Sequence, residues 1–135
     1  MSDVIRVVVA DDQQVVREGL VALLGLIDGV QVVGAAANGV EAVDLVAQGN
    51  VDVVLMDLRM PVLDGTQATA RITADHPDVA VLVLTTYADD ASIANALRAG
   101  ARGYLTKDAG RAEIGAALRS TAAGSRRSTP RSPSA

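Results

Sequence analysis

Five short runs that are apolar at nearly every position alternate along this chain with segments of helical spacing. That alternation restricts the fold more than any other feature. The runs are Val4–Ala10, Val30–Ala35, Val51–Met56, Val79–Leu84 and a weaker Gly103–Leu105. Runs rich in β-branched residues, with no polar face, suit strands covered on both sides, as in a parallel sheet. Between them, Val16, Leu20, Leu23, Leu24 and Ile27 fall at i, i+4, i+7, i+8 and i+11, a helical stripe. Ala42, Val43, Val46 and Ala47 repeat the pattern, as do Ala68 and Ile72, Ile93, Ala96 and Leu97, and Ile114, Ala117 and Leu118.

Punctuation agrees. Asn38-Gly39 precedes the second helical segment. Asp64 with Gln67 forms a capping pair for the third, and Pro77 stops it. Asp89-Asp90 opens the fourth, and Gly100 sits where a C-terminal glycine ends a helix. Gly25 falls inside the first stripe, where it costs about 1 kcal/mol relative to alanine and predicts fraying. Strands alternating with helices imply a doubly wound α/β fold: a five-stranded parallel sheet with helices on both faces and right-handed crossovers. Residues 1–124 read as this domain. Residues 125–135, made of Ser, Arg, Thr, Pro and Ala with the sequence's last basic cluster, read as a disordered tail or the start of a linker.

Composition limits the chemistry. A chain of 135 residues buries roughly two thirds of its unfolded surface as one domain. Its core must be aliphatic, because Tyr87 and Tyr104 are the only aromatic residues. With no Cys, disulfide scaffolds, thiolate metal sites and thiol catalysis are excluded, and the scarcity of aromatics argues against base-stacking nucleic-acid binding. A single histidine, His76, makes a histidine-rich metal site or a Ser-His-Asp hydrolase a poor fit. The net charge is −4; since the tail carries +3, residues 1–124 carry −7 and would repel nucleic-acid phosphates. The first apolar run is interrupted by Arg6 and ends at Asp11, too short for a membrane helix or a signal-peptide core. A soluble, cytoplasmic protein without membrane contact is expected.

Ligands of open α/β sheets bind beyond the carboxyl ends of the strands, where strand order reverses. The first run ends in Asp11-Asp12, the third in Asp57, the fourth in Thr85-Thr86 and the fifth in Thr106-Lys107. With strand order 2-1-3-4-5, three carboxylates, a hydroxyl and an ammonium converge. Each alone has an ordinary reading. Asp11 and Asp12 could cap a helix. Asp57 could be a loop acid, Lys107 a solvated lysine and Thr85 a strand-end β-former, with Thr86 the weaker hydroxyl candidate. His76, Asp52, Asp75 and Asp78 read as surface residues, and Arg126 and Arg127 as solubilising. The conjunction is different. Clustered carboxylates require a cation or protons. Oxygen-only ligands suit Mg²⁺, which also accepts phosphate oxygens. Lysine adds a point charge for a phosphoryl group, and a carboxylate so placed can attack phosphorus.

The text V-V-V-A-D-D at 7–12, V-L-M-D-L-R-M-P-V-L-D-G at 54–65, L-T-T-Y at 84–87 and G-Y-L-T-K-D-A at 103–109 resembles the receiver domain of two-component response regulators. The resemblance spans about residues 4–122. The run after Asp57 and Ala96-Leu97-Arg98-Ala99-Gly100-Ala101 are most similar to receivers of the LuxR/NarL type, which precede a helix-turn-helix DNA-binding domain. It implies a (βα)5 flavodoxin-like fold with Asp57 as phospho-acceptor. It implies Mg²⁺ held by Asp12, Asp57 and the Arg59 carbonyl, with Asp11 acting through water or by orienting its neighbour. Lys107 would pair with the phosphoryl group or Asp57. Thr85 and Tyr104 would form the switch, and the side chains of Arg59 and Tyr87 would tune the phosphoryl lifetime. The donor would be a sensor histidine kinase, and the output the surface of the fourth helix, fifth strand and fifth helix, with a homodimer possible. Many receivers have proline after the lysine in a cis bond. Here Asp108 stands in its place, and a cis non-proline bond costs about 3 kcal/mol, so a trans bond is expected.

Such a domain is a phosphorylation-controlled switch and not an enzyme acting on other substrates. No helix-turn-helix follows residue 124, so DNA would be reached only through an output domain absent from this chain. A stand-alone receiver acting by protein contacts is the alternative. A Mg²⁺-dependent aspartyl-phosphate phosphatase is a further one, although that type carries D-x-D after its first strand where this chain has Asp11-Asp12-Gln13. A flavodoxin-like FMN carrier would need a glycine- and hydroxyl-rich phosphate loop that is missing here. Both tyrosines fall beside the expected switch.

Overall fold

The computed structural model describes residues 4–86 and 90–126, with side chains to residue 123. The strands are β1 (Ile5–Ala10), β2 (Val30–Ala36), β3 (Val53–Met56), β4 (Ala80–Thr85) and β5 (Gly103–Thr106). The helices are α1 (Gln14–Leu24), α2 (Gly39–Ala47), α3 (Gly65–Asp75), α4 (Asp90–Ala99) and α5 (Arg111–Arg126). All four strand pairings are parallel, in the order β2-β1-β3-β4-β5. This is the doubly wound architecture expected from the alternating runs.

The two-residue period of a strand divides the core between the faces. Val8, Ala10, Val54, Met56, Val81 and Val83 point into one cluster with Val46, Ile72 and Ala96 of α2, α3 and α4. Val7, Val9, Val53, Leu55, Leu82 and Leu84 point into the other with Leu24, Ile114 and Leu118 of α1 and α5. The three central strands are buried at nearly every position, as their continuous apolar runs require; Arg6 is the exposed exception.

Local structure departs from the sequence expectation in four places. α1 ends at Leu24, so Gly25 is its C-cap and not an interior residue; its N–H donates to the Val21 carbonyl at 3.1 Å. Ile27 therefore lies beyond the helix yet still packs into the α1/α5 core. β3 begins at Val53, two residues after the apolar run opens; Asp52 still donates its N–H to the Arg6 carbonyl at 2.8 Å, and its carboxylate accepts the Arg6 N–H at 2.8 Å. β2 alternates between half-buried and exposed positions, since it is an edge strand, and its pairing with β1 shifts between Val32 and Gly34. α5 runs to Arg126, two residues past the expected boundary at 124. The rest of the expected tail lies outside the described residues, as do Tyr87 and Asp89.

The caps follow the sequence signals. Asn38 accepts the Glu41 N–H, and Asp64 and Gln67 form a reciprocal capping box. Gly100 follows α4 with φ +119°, and a Cβ there would lie 2.3 Å from Thr73 Oγ1. Leu55 lies at the centre of the sheet, 1% exposed. Leu55→Ala should lower unfolding stability by about 2–5 kcal/mol. Urea denaturation would show this as a lower midpoint with an unchanged slope.

Candidate functional site

The strands that pass through the middle of the sheet deliver the acids to its carboxyl edge. Asp11 follows β1 and continues its ladder, donating its N–H to the Ala36 carbonyl at 3.0 Å; Asp57 follows β3 and donates to the Ala10 carbonyl at 3.0 Å. Extension of the ladder past the strand ends fixes both residues side by side. Lys107, just after β5, donates its backbone N–H to the Thr85 carbonyl at 3.0 Å. Carboxylate oxygens of Asp11, Asp12 and Asp57 all lie within 4.8 Å of one another. Asp11 and Asp57 are buried, and Asp12 is exposed.

Lys107 binds the cluster from the other side. Its Nζ lies 2.5 Å from Asp11 Oδ2 and 3.3 Å from Asp57 Oδ2. The expectation gave Lys107 to Asp57 or to a phosphoryl group; its shorter contact is in fact with Asp11. Asp11 Oδ1 meanwhile accepts the Gln13 N–H at 2.9 Å, so this carboxylate is spent on lysine and loop. Gln13, not Asp11 or Asp12, is the N-cap of α1, and it makes no side-chain cap bond. The ordinary helix-capping reading of the acidic pair therefore does not hold. The Lys107–Asp108 bond is trans, as are the other described peptide bonds.

Burial pushes the Asp57 carboxyl above its ordinary range; Lys107 opposes this and Asp11 adds to it. Burial alone would lower Lys107. The hydrogen bond that Lys107 donates to Asp11 and the negative charges of Asp57 and Asp11 outweigh it and hold the ammonium above the usual lysine range. The lysine is thus a fixed positive charge at neutral pH.

A cavity of about 400 Å³ opens over the cluster, lined by Asp12, Gln13, Asp57, Arg59, Thr86 and Lys107. Gln13 was not singled out in the sequence, although it directly follows the acidic pair. Thr86, the weaker hydroxyl candidate, is exposed at this cavity, while Thr85 is 1% exposed and lines a separate groove of about 610 Å³ between α3 and α4. Arg59 borders both spaces. Tyr104 is 48% exposed on β5, so its ring faces outward. A further residue without a sequence signal is Arg17 of α1, whose Nη1 donates to the Asp11 carbonyl at 2.8 Å and ties the β1–α1 loop to the helix. Tyr87 lies outside the described residues.

The donor set is chemically uniform. Carboxylate oxygens with no nitrogen or sulfur ligand among them suit a hard divalent cation that keeps several waters. Asp12, Asp57 and Lys107 all line the same cavity, so a cation held by the acids would sit beside a fixed ammonium.

The fold and this arrangement agree with what the chain is similar to. The family model for the response regulator receiver domain matches residues 7–119. The response regulator GacA of Pseudomonas viridiflava is 44% identical over 126 residues, covering 93% of this chain and 59% of that protein. The signal receiver domain assigned to NarL of Mycobacterium tuberculosis superposes with a TM-score of 0.86 at 39% identity, covering 90% of this chain and 98% of that one. A two-component response regulator of the LuxR family from Aurantimonas sp. SI85-9A1 gives 0.84 at 35% identity, covering 90% and 86%. The chain belongs to the response regulator receiver domains of two-component systems, and its relatives are of the LuxR/NarL-like kind. Receiver domains of this family are signalling switches. The chain spans about half the length of the curated relatives it matches, 47% and 59% for the first two. No helix among the described residues is long and apolar enough to cross a membrane.

The raised Asp57 group gives a signed expectation. Ionised Asp57 costs stability above its folded-state pKa, and the cost fades as falling pH protonates it. Asp57→Asn in chelator-treated buffer should therefore raise the thermal midpoint at pH 7, with the gain shrinking on acidification. The Lys107 contribution has the opposite sense: it is fully present at neutral pH and lost only as pH rises through its elevated pKa.

Proposed function

We propose that Asp57 accepts a phosphoryl group from a phospho-histidine on a sensor kinase, and that the resulting aspartyl phosphate switches the α4–β5–α5 surface. The observation that carries this reading is the placement of Lys107 Nζ on both Asp11 and Asp57, at 2.5 and 3.3 Å, beneath an open acidic cavity. In the step, an Asp57 Oδ forms a bond to phosphorus as the P–N bond of the donor breaks. The bonding pair leaves with the imidazole nitrogen. Lys107 is the standing cation that offsets the charge gathered on the phosphoryl oxygens, and positioning with charge neutralisation is most of what such a transfer requires of a protein.

Asp12, Asp57 and the Arg59 carbonyl would hold Mg²⁺, and Asp11 would act through water or through Lys107. The cation would supply charge neutralisation of the acids and the incoming phosphate. Thr85 would donate its hydroxyl to a phosphoryl oxygen, and the outward Tyr104 would turn inward with it. Arg59 and Tyr87 would set the lifetime of the acyl phosphate. A shift from 1:99 to 99:1 between two states needs about 5.5 kcal/mol of differential stabilisation, which the new hydrogen bond and lysine contact would supply in part. The receiver would occupy residues 1–124 of a cytoplasmic transcriptional regulator, sending its signal through homodimerisation to a DNA-binding domain beyond this chain.

Two measurements test this. Incubation with Mg²⁺ and a small acyl-phosphate donor should add one phosphoryl group by intact mass, and Asp57→Ala should abolish it. Equal uptake by the alanine variant, or none by the wild type, would contradict the assignment. Second, Mg²⁺ at ten times its dissociation constant should stabilise the wild-type fold by about 1.4 kcal/mol. The gain should vanish in Asp12→Ala; a magnesium gain unaffected by that change would place the ion elsewhere.

A further inference from the structure

The loop from Asp57 to Gly65 carries both the acceptor and the proposed carbonyl ligand, and two glycines hold it. Gly65 donates its N–H to the Leu58 carbonyl at 2.9 Å and lies so close that a Cβ would stand 2.1 Å from the Asp57 carbonyl oxygen. That contact joins the two ends of the loop. The other comes from a distant part of the chain. Gly39, the first residue of α2, is buried and donates its N–H to the Leu63 carbonyl at 2.9 Å; a Cβ there would lie 2.2 Å from the same oxygen and 2.9 Å from Leu63 Cβ. A contact this close to backbone cannot be relieved by a rotamer change. The loop or the helix must move.

The loop is also bent where it would not bend freely. Val62 has φ +70°, a region that β-branched residues avoid, and is 79% exposed, so no burial of its side chain selects that conformation. Leu63 N–H donates back to the Pro61 carbonyl at 2.7 Å, closing a three-residue turn around Val62. Met60 and Leu63 on either side are buried in the α2–α4 core. The strained turn is therefore held by buried anchors and by the Gly39 hydrogen bond at its far end. α2 is itself fixed at that point: Asn38 Oδ1 accepts the Glu41 N–H at 2.9 Å, and Glu41 Oε1 accepts the Ala37 N–H at 2.7 Å.

We infer that Gly39, in the βα unit that contributes no side chain to the acidic cavity, is a positioning residue for it: the α2 N-terminus clamps the strained β3–α3 turn and so sets where the Arg59 carbonyl stands relative to Asp57 and Asp12. This rests on the proposed metal and phosphoryl site at those residues. Its consequence is that divalent-ion affinity depends on an α2 backbone contact. Stability alone would not show this, because any core change lowers stability.

The test is Mg²⁺ titration of wild type, Gly39→Ala, Asn38→Ala and Val62→Gly by calorimetry, with thermal melting of each in chelator and phosphoryl uptake by intact mass. Wild type should bind Mg²⁺ and take up phosphate. If it does neither, the site reading fails and not the clamp. Given a competent wild type, folded Gly39→Ala should bind Mg²⁺ five- to twentyfold more weakly. Should Gly39→Ala not fold, Asn38→Ala, which adds no atom to the loop, should still weaken binding two- to threefold. Val62→Gly should melt at a higher temperature, because the turn is no longer strained, while its Mg²⁺ affinity stays within twofold with the clamp intact. Gly39→Ala or, in its absence, Asn38→Ala that melts lower but binds Mg²⁺ as wild type does would overturn the inference and leave Gly39 a packing residue only.

Discussion

The structure turns on one ammonium group among three carboxylates. Two like charges about 4 Å apart near a protein surface repel by about 4 kcal/mol, so the cluster of Asp11, Asp12 and Asp57 could not stay compact unaided. Lys107 reaches back across the ends of β4 and β3 to touch two of the three, and burial keeps that charge from being diluted by water. Because β1, β3, β4 and β5 run parallel, their carboxyl ends share one edge, and the lysine side chain spans the end of β4 to reach the acids. The third acid, Asp12, is the exposed one and shares the cavity wall with Asp57.

The strands were legible because burial on both faces leaves a continuous apolar signature. Val7–Ala10, Val53–Met56 and Ala80–Leu84 carry it without a break, and these are the three central strands. The edge strands carry less. β2 reads in the sequence like a central strand, Val30 to Ala35, yet alternates in exposure because among the described residues no strand pairs with its outer side. The end of α1 is hidden in the sequence for a similar reason. Ile27 continues the apolar stripe and is buried, but it reaches the core from the loop after Gly25. Hydrophobic periodicity reports which side chains are buried and not by which backbone path they arrive.

The site divides along the same line. Asp11, Asp12, Asp57, Thr85 and Lys107 stand at strand ends, and a parallel sheet must bring strand ends together, so sequence order and topology sufficed to group the acids with the lysine. Thr85 separates from them slightly, in the groove toward α4, and Thr86 takes the cavity wall. What sequence could not supply were contacts made by backbone. The preference of Lys107 for Asp11 depends on side-chain paths of a few ångströms. The Arg17 bond to the Asp11 carbonyl and the turn at Val62 involve main-chain atoms, which leave no compositional trace; at position 39 the glycine is legible, but not the Leu63 carbonyl that it lies against.

The central claim is that Lys107 is held by Asp11 and Asp57 in readiness for a phosphoryl group on Asp57. A crystal structure of the Mg²⁺-bound beryllofluoride adduct, a stable phosphoryl mimic, tests it most directly. The adduct is expected on an Asp57 oxygen, with Mg²⁺ between Asp12 and Asp57 and the Lys107 ammonium within hydrogen-bond distance of a fluorine. Lys107 remaining on Asp11 alone, with the adduct or the metal bound away from Asp57, would contradict it.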